Sequence, residues 1–336
     1  MRTLILALFL IIITTSCFST ENNEQNLNAV INNDISFKAI HFEVNENNSL
    51  LRRFDFCNDH IYVSDYRHRS LQRYSLSGEL QLTHIPQTGR GPGDFDSPPY
   101  IIHCLNSGNI LVAESRGRVH SFSKELDWME TNFIETRARF TDFLFETDST
   151  YVFSLQTNID RFNEHYVIVD KTNFEVINTI NYGEIYDLKY ISLKNSVSDG
   201  NYVVAAYGIT GQIRVFDAET WDSHTFMSQN QKSIADISKG ISKTFDINFT
   251  DRDTEVFTRD RVIQSHTIYK NKILIIANLF SDYPKEFIEV YDFEGNMLKK
   301  YPLSFDIDMI FTKNSNLYGI SNFGENDFTI YQIFLD

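Results

Sequence analysis

One short unit recurs from end to end of this chain, and it limits the possible folds more than any other feature. The unit is a strand, a turn, a second strand reading like IYVSD, a connection, an aromatic-rich strand, a Gly or Asn turn and a last strand. Its clearest copy runs IYVSD from Ile61, then SLQRYSL, SGE and LQLTH. Further second strands read NILVAES, YVFSLQ, YVVAAYG, ILIIANLF and LYGISNF. Counted from Ile61, Ile110, Tyr151, Tyr202, Ile273 and Leu317, the spacings are 49, 41, 51, 71 and 44 residues.

Runs of β-branched and aromatic residues broken by Ser77-Gly78, Asp199-Gly200-Asn201 and Gly295-Asn296 are strand and hairpin signals. No long segment carries the 3.6-residue helical period, which disfavours helical bundles and doubly wound sheets. Repeats with periods in the forties and four strands apiece are propeller blades. The sixth copy ends at Asp336 after three strands, while a spare strand, ISFKAIHF from Ile35 to Phe42, precedes the first copy. A blade short of one strand would expose a sheet edge, and pairing with the spare strand removes it. The expectation is an all-β chain forming a single six-bladed β-propeller over residues 35–336, closed by the N-terminal strand completing the last blade. An insertion at about 228–262, between copies four and five, reads either as a lid over one mouth of the ring or as a solvated decoration.

The N-terminus carries Arg2, an unbroken apolar run from Leu4 to Ile13, then Thr14, Thr15, Ser16 and Cys17. This is a secretory signal over residues 1–16, too short to span a bilayer, which takes about 20 apolar residues. It resembles the lipobox of bacterial lipoproteins, departing at Thr14, where that family usually carries Leu. The resemblance implies a diacylglyceryl group on Cys17 and a protein held at the membrane of the cell envelope by its acyl chains, either periplasmic or surface-exposed. Residues 17–34, rich in Ser, Thr, Asn and Glu, read as a flexible tether. The net charge is −15, and −16 once Arg2 is cleaved away. Nucleic acid is therefore disfavoured as a partner, since a phosphate backbone needs clustered Lys and Arg. An envelope protein or a glycan is the expected partner.

With Cys17 used for the anchor, Cys57 and Cys104 remain. They either bridge in an oxidising compartment or sit apart as two small buried side chains. The second alternative is the expectation, because a sequence does not reveal the Cα separation that a bridge requires.

Between the first and second repeats the chain reads GRGPGDF from Gly89. Gly89, Arg90, Gly91, Pro92 and Gly93 specify a tight backbone path suited to crossing between blades. Exposed N–H groups beside Arg90 could also cradle an anion, but the structural role is the expected one. Together with IYVSD and the Asp-turn-Gly hairpins, this string resembles the six-bladed β-propeller lipoproteins of Bacteroidota-type bacteria, a group related in shape to NHL and TolB-like propellers. That resemblance implies the fold and an envelope location, and it brings no activity with it.

No GxSxG, HExxH, P-loop or EF-hand string is present. No cofactor is evident, and the expectation is a non-enzymatic binding or scaffold protein. In a propeller the innermost strands line the central channel. Just ahead of each second strand lies a polar residue in an apolar stretch: Arg53, His103, Asp142, Lys189, His266 and Asp308. They are expected either to form a polar ring that binds a small anion or a sugar, or to be polar merely because the channel is wet. Through His103, His266, Asp142 and Asp308 the ring could also hold a divalent metal. The rival function is a metal-dependent hydrolase or lactonase of the calcium-dependent propeller type. Asp142, Asn195 and Asp308 supply part of the set such an enzyme needs, without its early Glu. Trp128 and Trp221 fall in or beside outer hairpins, where exposure is expected.

Overall fold

The computed structural model describes residues 35–41, 51–136, 138–157, 164–181, 194–207, 211–228, 263–278, 286–304, 307–321 and 329–335. The expected signal peptide, Cys17, the expected tether, Lys189 and the insertion beyond Ser228 lie outside the described residues.

Six four-stranded antiparallel sheets make up the fold. The first blade is β2 (Leu51–Cys57), β3 (His60–Asp65), β4 (Ser70–Ser75) and β5 (Leu80–His84). The second is β6 (Pro99–Cys104), β7 (Ile110–Glu114), β8 (Arg118–Phe122) and β9 (Trp128–Phe133). The third is β10 (Ala138–Glu146), β11 (Thr150–Thr157), β12 (Glu164–Asp170) and β13 (Val176–Asn181). Blade four holds β14 (Lys194–Ser198), β15 (Tyr202–Tyr207), β16 (Gln212–Asp217) and β17 (Ser223–Met227). Blade five holds β18 (Ile263–Tyr269), β19 (Lys272–Asn278), β20 (Glu286–Tyr291) and β21 (Met297–Pro302).

The last blade departs from sequential order. Its strands β22 (Met309–Lys313), β23 (Asn316–Ser321) and β24 (Thr329–Leu335) are completed by β1 (Ile35–His41), in the order β1-β24-β23-β22. Seven residue pairs, from Ile35 opposite Leu335 to His41 opposite Thr329, hold the two chain ends together. The open edge of β24 is thereby paired, and the ring closes as the strand count requires.

The core is distributed as six apolar wedges, one between each pair of neighbouring blades. Phe56, Ile61 and Tyr74 of blade one meet Tyr318, Ile320 and Ile330 of blade six. The other five wedges join blades one to two, two to three, three to four, four to five and five to six. Second strands are covered on both faces, so they read as continuous apolar runs rather than alternating ones. Every residue of β7 (ILVAE) is buried. Outer strands have a solvated face, and β9 and β17 are largely exposed.

One correction falls in the wedge between blades one and two. Cys57 and Cys104 are bridged, with Cα atoms 5.3 Å apart. Both end the innermost strands of adjacent blades, where inter-blade packing sets a separation within the range a disulfide requires. That separation arises from tertiary packing and is invisible in local sequence.

Candidate functional site: the polar channel pocket

Inner strands β2, β6, β10, β14, β18 and β22 surround a pocket of about 330 Å³. Side chains at i and i+2 on a strand share a face, and Arg53 and Asp55 of β2 both line this pocket. Arg53 reaches across two neighbouring blades. Its Nε donates to the Tyr100 carbonyl at 3.1 Å, its Nη2 to the Thr141 carbonyl at 3.3 Å, and its Nη1 lies 3.6 Å from Asp142 Oδ1. Its guanidinium also stands 5.1 Å from the centre of the Tyr100 ring.

Asp55 organises the opposite side. Its Oδ2 accepts from Lys313 Nζ at 3.0 Å and from the Cys104 backbone N–H at 2.8 Å, and it lies 3.0 Å from His103 Nδ1. Its Oδ1 accepts from the Phe56 N–H at 2.7 Å. Burial by itself pushes this carboxyl upward. The charges of His103 and Lys313, with the hydrogen bonds from His103 and Cys104, outweigh burial and hold it well below the usual carboxylate range. His103 stacks on Phe143, with ring centres 4.1 Å apart.

Of the six residues singled out in the sequence, three meet here: Arg53, His103 and Asp142 all line the pocket. His266 is buried between blades, and its Nε2 lies 3.1 Å from the Val204 carbonyl. Thr267, its neighbour, occupies the channel wall instead. A register shift between Ile263 and Ser265 falls just ahead of these residues on β18, and a slip of one residue exchanges the two faces of a strand. Asp308 precedes β22, and its N–H donates to the Ile320 carbonyl at 2.7 Å. Lys189 lies outside the described residues. Asn195 falls on β14, opposite Ala206.

Sequence reasoning missed Asp55 and Lys313. Asp55 was legible from its spacing two residues after Arg53. Lys313 was not, because it ends its strand and meets Asp55 only once the ring has closed. Ser196, Ser198, Thr267 and Thr312 add hydroxyl-bearing side chains to the wall. Among the described residues no group of three or more His, Cys, Asp and Glu side chains could hold a metal ion.

The GRGPGDF string joins β5 to β6. Gly93 adopts φ +76°, and a Cβ there would lie 3.0 Å from Trp128 Cγ. The loop's N–H groups point inward: Gly89 donates to the Phe95 carbonyl and Gly91 to Asp94 Oδ2. Its carbonyls face a cation, since Arg118 donates to Gly89 O at 2.9 Å and to Gly91 O at 3.2 Å. Trp128 is 40% exposed, whereas Trp221 is partly covered by Tyr166 and Phe216.

These blades and this channel define a six-bladed β-propeller with a polar central pocket. No protein-family model and no curated protein matches the chain. Solved structures share the fold at low identity. A candidate exported protein of Bacteroides fragilis is 12% identical, with 90% of this chain and 95% of that one covered, at a TM-score of 0.58. A member of the DUF4221 family from Bacteroides vulgatus is 14% identical, with coverage of 90% and 99% and a TM-score of 0.57. The U3-55K structure is 10% identical, covers 88% and 98%, and has a TM-score of 0.51.

Proposed function

We propose that this chain is an exported, lipid-anchored binding propeller of the cell envelope, whose channel pocket receives a small neutral polar group such as the end of a glycan without transforming it. The observation that carries this reading is the state of the pocket's charges. Arg53 is engaged by Tyr100, Thr141 and Asp142, and Asp55 by His103, Lys313 and two backbone N–H groups. A general base or a metal ligand needs a lone pair directed at substrate or ion, and Asp55 already accepts from Lys313 and from the Cys104 and Phe56 N–H groups and lies 3.0 Å from His103. Beside these groups, and with His103 and Asp142 in the same wall, a set of hydroxyls faces a ligand next to Phe54, Phe143 and Phe311. Hydroxyl donors and acceptors next to apolar faces suit a saccharide, and the volume falls in the range of small-molecule sites, roughly 300 to 1,000 Å³. The apolar run ending at Cys17 supports export and anchoring.

Thermal unfolding of the Cys17→Ala chain tests the proposal. Neutral mono- and disaccharides, and separately calcium, zinc and manganese against EDTA, are added in excess. A ligand of the folded state stabilises by about 2.7 kcal/mol at a hundredfold excess over Kd. A saccharide-dependent rise supports binding. A metal-dependent rise with no saccharide response sinks it in favour of a hydrolase.

A further inference from the structure

A second cavity, of about 440 Å³, lies at blade two, away from the channel, against the GRGPGDF loop. Its walls include Arg90, Arg116 and Arg118 with Asp96, Asn132 and Phe133. Three arginines around one cavity are notable in a chain of net charge −15. Their charges are not equally committed. Arg118 is tied to Glu114, at 3.3 Å, and to the two loop carbonyls. Arg90 pairs with Asp96 at 3.2 Å. Arg116 is exposed and makes no ion pair among the described residues. Among the described residues the cavity therefore carries one positive charge without an ion-pair partner.

The frame around Arg116 is rigid. It sits in the turn from β7 to β8 beside Gly117, whose φ is +90° and whose added Cβ would run into the Ile134 carbonyl oxygen. Ile134 N–H donates back to the Gly117 carbonyl at 2.8 Å. Thr131, another wall residue, is fixed by Trp128 Nε1 and by His120 Nδ1, each at 2.9 Å from its Oγ1. Beside the arginines, Phe133 is 57% exposed. Leaving a large aromatic face in water is unfavourable unless something packs on it.

We infer that this cavity is a second binding site, for the carboxylate of an acidic saccharide. Arg116 takes the carboxylate through its forked N–H groups, Asn132 serves the ring hydroxyls, and the Phe133 ring receives the apolar C–H face of the sugar. One free positive charge matches a monoanion and leaves a doubly charged phosphate half-compensated. The aromatic wall favours a sugar ring over the extended side chain of an acidic peptide. This site stands or falls independently of the channel pocket, because the residues that line the two cavities do not overlap.

Calorimetric titration of the full-length chain carrying Thr312→Trp, which fills the channel pocket and leaves only the second cavity open, with glucuronate, glucose, acetate, inorganic phosphate and a glutamate-rich peptide tests the inference. Glucuronate is expected to bind at least tenfold more tightly than any of the other four, and more weakly as salt is raised. Arg116→Gln should remove that tenfold preference, and Arg116→Lys should restore part of it. Both variants should unfold at the wild-type temperature, since Arg116 lies on an exposed turn. The inference is overturned if glucose or acetate matches glucuronate, if phosphate or the peptide binds more tightly, or if Arg116→Gln leaves glucuronate binding unchanged.

Discussion

Lys313 Nζ and Asp55 Oδ2 stand 3.0 Å apart although 258 positions separate them in the chain. The contact spans the seam where the last blade meets the first, so it exists only when the ring is closed. The same carboxylate lies 3.0 Å from His103 of blade two, and Asp55 thus ties three consecutive blades at the channel wall.

The depressed Asp55 carboxyl makes stability depend on acid. In the unfolded chain an aspartate titrates near about 3.9. A group whose folded value lies lower contributes stability above that pH, and the contribution disappears as pH falls toward the folded value. The wild-type protein should therefore lose on the order of 2 kcal/mol between about pH 5 and strongly acidic conditions through this one residue. Asp55→Asn should be less stable at neutral pH and show a flatter acid limb. Urea unfolding at a series of pH values checks this, and parallel acid limbs would remove Asp55 from the account.

Reduction should weaken the ring. The bridge between Cys57 and Cys104 spans 47 residues. In the chain-entropy picture a loop of that size is worth about 4 kcal/mol. The Cys57→Ala/Cys104→Ala double variant should unfold at lower denaturant than wild type, by a similar free energy. Adding dithiothreitol should shift wild type and leave the double variant unmoved.

Ring closure by β1 predicts the effect of truncation. Removing residues up to 41 leaves β24 paired only with β23 and exposes its outer edge, which carries Tyr331 and Phe334. Such an edge templates association. The truncated protein should melt lower and elute as oligomers in size-exclusion chromatography, and an unchanged monomer would contradict the closure.

Gly93→Ala should cost about 1 to 3 kcal/mol, because its φ of +76° is unfavourable for any residue with a Cβ and the new methyl meets Trp128. Trp128 is one of only two tryptophans. A shift in intrinsic fluorescence should therefore accompany the loss in denaturant unfolding.

Which of these features were legible in the sequence follows from how local they are. Second strands such as NILVAES and YVVAAYG announce themselves because burial on both faces demands unbroken apolar runs, and each predicted start falls within one residue of the strand observed. The use of Ile35–His41 as a closing strand followed from counting strands against blades. Channel residues were harder to place. Arg53, His103 and Asp142 reach the pocket, but the choice of His266 failed, since a register irregularity in β18 sends it between blades and brings Thr267 to the channel. No period-two pattern reveals where such a shift occurs. The disulfide and the contact from Asp55 to Lys313 were invisible for another reason: both depend on distances between blades, which local sequence does not encode.

The most direct test of a binding channel is to fill it. Thr312 lines the pocket, and its hydroxyl accepts from Thr267 at 3.1 Å. Thr312→Trp would occupy the cavity, while Thr312→Val removes only the hydroxyl. Thermal unfolding of wild type and both variants, with and without the neutral saccharide that stabilises wild type most, decides the question. The account predicts that Thr312→Trp abolishes the saccharide-dependent rise and that Thr312→Val reduces it. A rise that survives intact in a folded Thr312→Trp protein would place the ligand elsewhere and contradict the claim.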